Sequence, residues 1–272
     1  MSIEIANKDA LAWLETQKPE TFSLFILDPP YNVGYRYSNY EDNKPKAQYQ
    51  LEQLLVLSHC QRLLKPGGSI FYLNYPETSA EIWARVDFLQ KVDWLPWIYH
   101  SHLSGKPLRK ASRAWCWFAK GNPVFDQNAF LGEYRNPEDK RIKEKLAQGL
   151  KPVGYDWLVM EQVKNQSPEK RAHPCQVPEK MLDRFILGTT KPGDLVGDCY
   201  LGSGTTALAC QRLGRAFSGC ELDPAYIQVA RQALGAAKEA QALDAPNLSQ
   251  ISALLKLAQE KFHSDLEIAQ VI

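Results

Sequence analysis

The sequence predicts an α/β fold in which a doubly wound, mostly parallel sheet carries helices on both faces. Short apolar runs typical of buried strands alternate with segments of helical spacing, and this alternation is characteristic of parallel βαβ units. Acidic residues follow four of the predicted strands, at Asp9, Asp28, Asp198 and Glu221. Because ligands of such sheets bind beyond the carboxyl ends of the strands, we expect these carboxylates to surround one site.

Each predicted element has a local reason. Phe22–Leu27 is an unbroken apolar run, which indicates a buried strand, whereas Leu51–Leu64 has helical spacing and ends at the stop signal Lys65-Pro66-Gly67-Gly68. The polar stretch Asn32–Gln48 lacks periodicity and is predicted to be a mobile loop. The other strands are expected at Ser2–Ala6, Ser69–Tyr75, Trp94–Tyr99, Ala114–Ala119, Asp194–Asp198 and Ala216–Glu221, and the other helices at Ala10–Thr16, Glu77–Gln90, Glu138–Gln148, Pro178–Leu187, Thr205–Leu213 and Pro224–Glu239.

The composition is that of an ordinary folded protein with one large α/β domain. The chain has 272 residues, of which 44% are apolar and 23% charged. It has no long apolar segment and no basic stretch followed by an apolar core at its N-terminus, so neither a membrane span nor a secretory signal is expected. The six cysteines lack C-x-x-C spacing. We therefore expect buried thiols in a reducing cytoplasm of bacterial or phage-host type, without a metal site or disulfides.

Basic residues are concentrated in the middle of the chain. Residues 100–171 hold 14 Lys and Arg against 8 Asp and Glu, a net charge of +6, whereas the rest of the chain carries −5. This distribution is typical of a segment that faces phosphates, although a solvated surface explains it equally well. We predict one domain from residues 1–100 and 171–240, with an inserted region at 101–170. Apolar residues at amphipathic spacing predict a helical tail at 241–272.

A glycine turn marks the first half of the expected site. Leu201-Gly202-Ser203-Gly204-Thr205-Thr206 follows a predicted strand and opens a helix, whose free N–H groups suit a carboxylate or a phosphate. The chain has no Gly-Lys-Ser/Thr, which argues against the phosphate loop of NTPases. About twenty residues on, the next strand ends at Glu221, where a carboxylate can accept both hydroxyls of a ribose. The combination predicts a site for a nucleoside-type cofactor.

The segment Asp28-Pro29-Pro30-Tyr31 marks the second half. An exocyclic amino group on an aromatic ring has two N–H donors and a lone pair that is partly delocalised into the ring. Asp28 can accept one hydrogen bond and the Pro29 carbonyl, fixed by Pro30, can accept the other, which would localise and aim the lone pair. Tyr31 can stack on the ring, and a base inside a duplex would have to be flipped out. A plain turn after a strand is the structural alternative.

These motifs resemble those of the DNA amino-methyltransferases that use S-adenosylmethionine. Two further elements add to the resemblance: Glu221–Tyr226, and His173–Lys180, which is similar to the family's His-Pro-Thr-Gln-Lys-Pro-Glu. The target motif precedes the cofactor motif, an order that resembles the permuted β-class, which includes many N6-adenine enzymes. The resemblance covers roughly residues 3–31, 63–75 and 170–235. It implies a Rossmann-like methyltransferase sheet with residues 101–170 as a target-recognition region.

The resemblance also implies a role for each matching residue. Asp9 would bind the adenine of the cofactor, Glu221 its ribose, and Gly202–Thr206 its methionine end. The implied catalytic residues, which hold the target base, are Asp28, Pro29, Pro30 and Tyr31. The implied cofactor-binding residues are Asp9, Ala10, Asp28, His173, Gln176, Asp198, Leu201, Gly202, Ser203, Gly204, Thr205, Thr206, Glu221 and Leu222. The chain departs from the family pattern at Cys175, Val177 and Cys199, where Thr, Lys and Pro are usual.

The expected function is site-specific methylation of double-stranded DNA at the N6 amino group of adenine. In the family, Asp at the first position of the target motif usually goes with adenine and Ser with cytosine, so Asp28 favours adenine. N4-cytosine or RNA methylation, and a silent DNA-binding subunit, stay open as alternatives. Lys106, Arg109, Lys110 and Arg113 are expected to hold the DNA backbone. The family further implies a homodimer and a separately encoded restriction endonuclease as candidate partners.

Overall fold

The computed structural model describes residues 2–36, 40–100, 108–164, 166–171 and 176–244. The strands of this part are β1 (Ile3–Asn7), β2 (Phe22–Leu27), β3 (Leu64–Asn74), β4 (Gln90–Ile98), β5 (Ser112–Ala119), β6 (Leu158–Val159), β7 (Leu195–Asp198) and β8 (Ala216–Glu221). The helices are α1 (Ala10–Glu15), α2 (Lys46–Leu63), α3 (Pro76–Arg85), α4 (Lys140–Ala147), α5 (Glu179–Thr189), α6 (Thr205–Leu213) and α7 (Pro224–Asp244).

The eight strands form one sheet in the order β1-β8-β7-β2-β3-β5-β4-β6. Neighbours from β1 to β3 are parallel, β5 runs antiparallel between β3 and β4, and β6 is parallel to β4. The predicted fold class, a doubly wound and mostly parallel α/β sheet, is confirmed. Because β1, β2, β7 and β8 point the same way, their carboxyl ends lie along one edge of the sheet.

Apolar side chains cover both faces of the central strands. All six residues of β2 are buried, as expected for a strand with helices on both sides. On one face, Phe25 and Tyr72 belong to the hydrophobic cluster that contains buried residues of α1, α2 and α3. On the other, Phe71 stacks on Phe185 of α5 with ring centroids 4.0 Å apart. A Cβ at Gly197 of β7 would lie 2.2 Å from the Phe25 ring, so the close packing of β2 and β7 requires glycine there.

Local signals predicted several bounds correctly, and tertiary packing shifted others. The bounds of Phe22–Leu27, Thr205–Leu213 and Ala216–Glu221 are as predicted. Helix α2 ends at Leu63, just before the predicted stop signal Lys65–Gly68, and these four residues belong to β3, where the pairing register with β2 shifts between Phe22 and Leu24. Helix α3 ends at Arg85, five residues before the predicted end, and the chain enters β4 at Gln90.

The region predicted as an insertion contributes to the sheet. Its strand β5 pairs with β3 and β4, so the boundary drawn at residue 101 separates strands of one sheet. Residues 120–164 add a 3-10 turn at Gln127–Phe130, the charged helix α4 and the short strand β6. A recognition role for this region stays a prediction.

The chain divides into two compact units, residues 1–232 and residues 233–272. Of the second unit, the structure describes the end of α7, and the predicted tail from residue 245 onward lies outside the described residues. Within the described part of the chain, no helix has the length and apolar character needed to cross a membrane.

Candidate active site

A pocket lies beyond the carboxyl ends of β1, β2, β7 and β8, and both predicted motifs contribute to its wall. The predicted residues that line it are Asp9, Ala10, Asp28, Pro29, Pro30, Tyr31, Gln176, Asp198, Leu201, Gly202, Ser203, Thr205, Thr206, Glu221 and Leu222. The structure thus brings together segments that are far apart in the chain. Their individual roles stay predictions.

Some lining residues had no predicted role, and some predicted residues lie elsewhere. Lys8, Ile26, Leu182 and Tyr200 also line the pocket, and none of them carries a local sequence signal for a ligand. Gly204 is the N-cap of α6 and has a φ of 86°, and a Cβ there would lie 2.7 Å from Ala230. Gly204 therefore shapes the glycine turn without lining the pocket. His173 and Lys106 lie outside the described residues.

The Glu221 carboxylate joins the glycine turn to the end of β8. Its Oε2 accepts the Gly202 N–H at 2.8 Å, and its Oε1 accepts the Asp223 N–H at 2.9 Å. From β1, the Asn7 side chain donates to the carbonyls of Glu221 and Leu222, each at 2.9 Å. Burial raises the pKa of Glu221, and the two backbone N–H groups act against that rise. The carboxylate is therefore held at the pocket wall in a fixed orientation.

Asp198 organises the start of α6. Its Oδ2 accepts the Thr206 hydroxyl at 2.6 Å and its Oδ1 accepts the Tyr200 N–H at 2.8 Å. Burial raises the pKa of Asp198 to about 7, against those two hydrogen bonds, and the nearby charges of Asp28 and Glu221 raise it further. No side chain of the described residues caps α6, so its first-turn N–H groups and positive dipole end suit an anionic group in the pocket.

Asp9 and Gln176 have structural partners of their own. The Oδ1 atom of Asp9 accepts the N–H groups of Leu11 and Ala12 at 2.9 and 3.2 Å, so Asp9 caps α1 at the rim of the pocket. The Gln176 amide accepts the Arg171 N–H at 3.0 Å and donates to the Glu169 carbonyl at 2.7 Å. Because both ends of that amide bind backbone groups, the Gln176 side chain is held in place at the wall of the pocket.

The target half of the site centres on Asp28 and Tyr31. The Tyr31 hydroxyl donates to Asp28 Oδ1 at 2.5 Å, and the Tyr75 ring packs edge-on against Tyr31 with centroids 5.2 Å apart. Burial raises the pKa of Asp28 to about 6, against the positive charge of Arg113 and the hydrogen bond from Tyr31. The carboxyl group therefore titrates close to neutral pH, unlike an exposed aspartate.

A buried chain of hydrogen bonds, the polar relay, orients the proline turn, Asp28–Tyr31. The Tyr49 hydroxyl of α2 donates to the Pro30 carbonyl at 2.7 Å. The Asn74 amide at the end of β3 donates in turn to the oxygens of Tyr49 and Tyr72, at 2.8 and 3.1 Å. Asn74 and Tyr72 are fully buried. Tyr49 thus occupies the Pro30 carbonyl, and a role for the Pro29 carbonyl as the acceptor for a ligand stays a prediction.

Specific hydrogen bonds hold the described part of the Asn32–Gln48 stretch, and its last residues belong to α2, which begins at Lys46 and not at Leu51 as predicted. The buried Asp42 carboxylate accepts the N–H groups of Asn32, Val33 and Tyr35 at 2.7, 3.0 and 2.9 Å. The Asn32 side chain also exchanges hydrogen bonds with the backbone of Lys44, at 2.7 and 2.8 Å. Sequence periodicity could not reveal this arrangement, because one side chain satisfies the backbone without helix or strand.

Of the predicted DNA contacts, Arg113 lies in a different environment from the one expected. Its side chain is 6% exposed and packs beside Asp28 and Tyr31, because β5 is an inner strand of the sheet. Arg109 and Lys110 are exposed, as predicted. Lys110 Nζ lies 5.0 Å from the centroid of the Tyr75 ring, so this part of the basic segment borders the target half of the site.

Comparisons with known proteins agree with this arrangement. Residues 22–232 match the family described as DNA methylase. The chain is 30% identical over 255 residues to the type II methyltransferase M.BglII of Bacillus subtilis, covering 85% of this chain and 68% of that protein. It is 28% identical over 246 residues to the DNA adenine methyltransferase YhdJ of Escherichia coli strain K12, covering 86% of this chain and 83% of that protein.

Solved structures show the same fold. The PvuII DNA methyltransferase, described as cytosine-N4-specific, has a TM-score of 0.67 at 22% identity, covering 85% of this chain and 86% of that one. The M1.HpyAVI–SAM complex has a TM-score of 0.56 at 22% identity, covering 85% of this chain and 100% of that one. At this level of identity the likeness establishes the architecture of the sheet.

Replacing Asp42 by Ala is expected to lower the free energy of unfolding by roughly 1–3 kcal/mol, because backbone N–H groups lose their acceptor. Urea denaturation measures the change, and Asp87→Ala, at an exposed position, is the matched control. Equal stability of the two variants would contradict the role of Asp42 in folding the loop.

Proposed function

Since the chain belongs to the DNA methylase family of N6 and N4 methyltransferases, we propose that it methylates the N6 amino group of adenine in DNA, at a base turned out of the duplex. Its activity class is S-adenosylmethionine-dependent DNA methyltransferase. The observation that carries the choice of adenine is Asp28 at the first position of the target motif, and the similarity to a relative named as an adenine methyltransferase supports it.

The charge of the pocket suits the cofactor. Five acidic residues line the described wall, Asp9, Asp28, Asp198, Glu221 and Asp223, whereas Lys8 is its basic residue. S-adenosylmethionine, when bound, supplies an electrophilic methyl group on a positively charged sulfur. A wall of carboxylates favours that cation over a neutral molecule of the same shape. The residues present therefore fit the cofactor.

In this proposal, different residues bind different parts of the cofactor. Glu221, fixed by Gly202 and Asp223, is oriented to accept the hydroxyls of the ribose. The first turn of α6, with Thr205 and Thr206 in the wall, binds the carboxylate of the methionine end through N–H groups. Asp9 holds the adenine at the rim, where its Oδ1 already serves α1.

Asp28 and the Pro29 carbonyl accept hydrogen bonds from the two N–H groups of the target amino group. Both acceptors are fixed before the base arrives, Asp28 by Tyr31 and the proline turn by Tyr49. Preorganised hydrogen bonds of this kind contribute roughly 3–4 kcal/mol each to stabilising a transition state. The Tyr31 ring packs along the base, and stacking of a base on an aromatic ring is worth about 1–3 kcal/mol.

Other contacts are proposed on family grounds and on charge. Arg109 and Lys110, exposed beside Tyr75, are placed to hold phosphates next to the flipped base, together with Lys106. A homodimer and a separately encoded restriction endonuclease are the proposed protein partners. Analytical ultracentrifugation tests the first of these, and cleavage of unmethylated DNA by the product of a neighbouring gene tests the second.

Incubation of the protein with labelled S-adenosylmethionine and unmethylated genomic DNA is expected to produce N6-methyladenine, identified by mass spectrometry of the nucleosides. Asp28→Asn should abolish transfer, because an amide offers a weaker acceptor and its NH₂ group opposes the amino group of the base. Asp87→Asn, the same change at an exposed position, should behave as wild type. N4-methylcytosine would overturn the choice of base, and unlabelled DNA would overturn the transfer itself.

Tyr49→Phe is expected to lower kcat by about tenfold, equivalent to ~1.4 kcal/mol, because the Pro30 carbonyl loses its donor and the turn loses its fixed orientation. The dissociation constant of the cofactor should stay within about twofold, since Tyr49 contacts the target half. Single-turnover transfer and calorimetric titration separate the two quantities. A normal kcat would exclude the relay from catalysis.

Acidification from about pH 8 to about pH 6 is expected to weaken cofactor binding by roughly three- to tenfold. The pKa of Asp198 is raised to about 7 by burial, so the carboxylate becomes neutral over this range and the sulfonium cation loses a favourable charge. Isothermal titration at both pH values measures the effect. Asp198→Asn should show a smaller dependence on pH, because it lacks the titration of Asp198. Titration of the cofactor itself affects both proteins equally. An identical dependence would remove Asp198 from the site.

A further inference from the structure

Arg113 is a cation enclosed in the target half of the site. It stands near the start of β5 and is 6% exposed. The guanidinium carbon lies 4.8 Å from the centroid of the Tyr31 ring and 5.4 Å from that of Trp97. It lies 5.9 Å from the rings of both Tyr75 and Tyr99. Side chains from the proline turn, the start of α3 and the end of β4 therefore surround one positive charge.

Building on the proposed function, we propose that Arg113 is a positioning residue for methyl transfer, which fixes the Tyr31 ring and keeps Asp28 in the charged form that accepts the amino proton of the base. This role replaces the predicted contact with the DNA backbone. A phosphate could reach the guanidinium only by displacing the surrounding rings, and each cation–π contact contributes roughly 0.5–2 kcal/mol toward holding them in place.

The charges around Asp28 explain why a cation is needed. Burial opposes the charged form of Asp28. Arg113 from β5 and the Tyr31 hydroxyl act in the opposite direction. Lys110 cannot take the place of Arg113, because its exposed side chain lies over the Tyr75 ring and pairs with Glu77 at 3.6 Å.

The direction in which Arg113 changes the pKa of Asp28 predicts a specific pH dependence of methyl transfer. An opposite charge within about 4–6 Å lowers the pKa of a carboxyl group by roughly 1–3 units. Removing Arg113 therefore raises the pKa of Asp28 above its value of about 6 and brings its titration into the neutral range. Transfer by such a variant should fail at low pH and recover at high pH, because the carboxylate accepts a hydrogen bond from the amino group far more strongly than the neutral carboxyl group does.

The test compares single-turnover methyl transfer to unmethylated genomic DNA by wild type, Arg113→Gln and Arg113→Lys from about pH 5.5 to about pH 9. The acidic limb of the pH–rate profile of Arg113→Gln should move to higher pH by roughly one unit or more. The transfer rate of this variant should therefore be about tenfold below that of wild type near pH 6.5 and close to it near about pH 8.5. The limb of Arg113→Lys should stay near that of wild type. Arg85→Gln, an exposed arginine of α3, is the charge-matched control.

Two results would overturn the proposal. An unchanged limb with a uniform loss of rate would make Arg113 a structural residue. A higher KM for DNA with an unchanged kcat would make it a phosphate contact. Absence of transfer by the wild-type protein would instead overturn the proposed function, so the two failures are distinguishable.

Thermal unfolding tests the same charge pair if Arg113→Gln folds poorly. Asp28→Asn and Arg113→Gln each leave one buried charge without its counterpart, so the double variant should unfold at a higher temperature than Arg113→Gln alone. Additive losses would show that the two side chains are not coupled, and the proposal would then be wrong.

Discussion

Burial of carboxylates at one edge of the sheet is the constraint on which the rest of the site depends. A buried ion costs several kcal/mol unless donors surround it. In this protein a neighbouring turn or helix start provides a donor for each carboxylate: the Gly202 N–H for Glu221, the Thr206 hydroxyl for Asp198 and the Tyr31 hydroxyl for Asp28. The conformations of the glycine turn and the proline turn follow from these bonds. The site is therefore ordered by its own charges before any ligand is present.

Local patterns were sufficient for the elements that position these carboxylates. The apolar run Phe22–Leu27 and the strand Ala216–Glu221 have the predicted bounds, because burial on both faces leaves a continuous signal in the sequence. Helix Thr205–Leu213 begins and ends beside glycines in the left-handed conformation, which mark its ends equally clearly. The acidic residues that follow four of the predicted strands were then enough to predict the edge of the sheet where the pocket lies.

The residues that support the site left no such signal. Tyr49 and Asn74 act through hydrogen bonds that cross between α2, β3 and the proline turn, and a single sequence does not reveal such long-range pairs. Arg113 resembled its basic neighbours, and only the antiparallel pairing of β5 with β3 and β4 brings it inside. Asp42 folds its loop through three backbone contacts without any periodic pattern. Composition and spacing predict where a helix or strand begins and ends, whereas these contacts form when the whole sheet is assembled.

The two halves of the site are electrostatically coupled because their strands are neighbours. Strand β2 carries Asp28 and pairs directly with β7, which ends in Asp198, and each carboxylate disfavours the charge of the other. In the proposed arrangement, the sulfonium cation of the cofactor favours the same charged form of Asp28 that Arg113 favours. The proposal thus links cofactor binding to the charge of Asp28 through electrostatics.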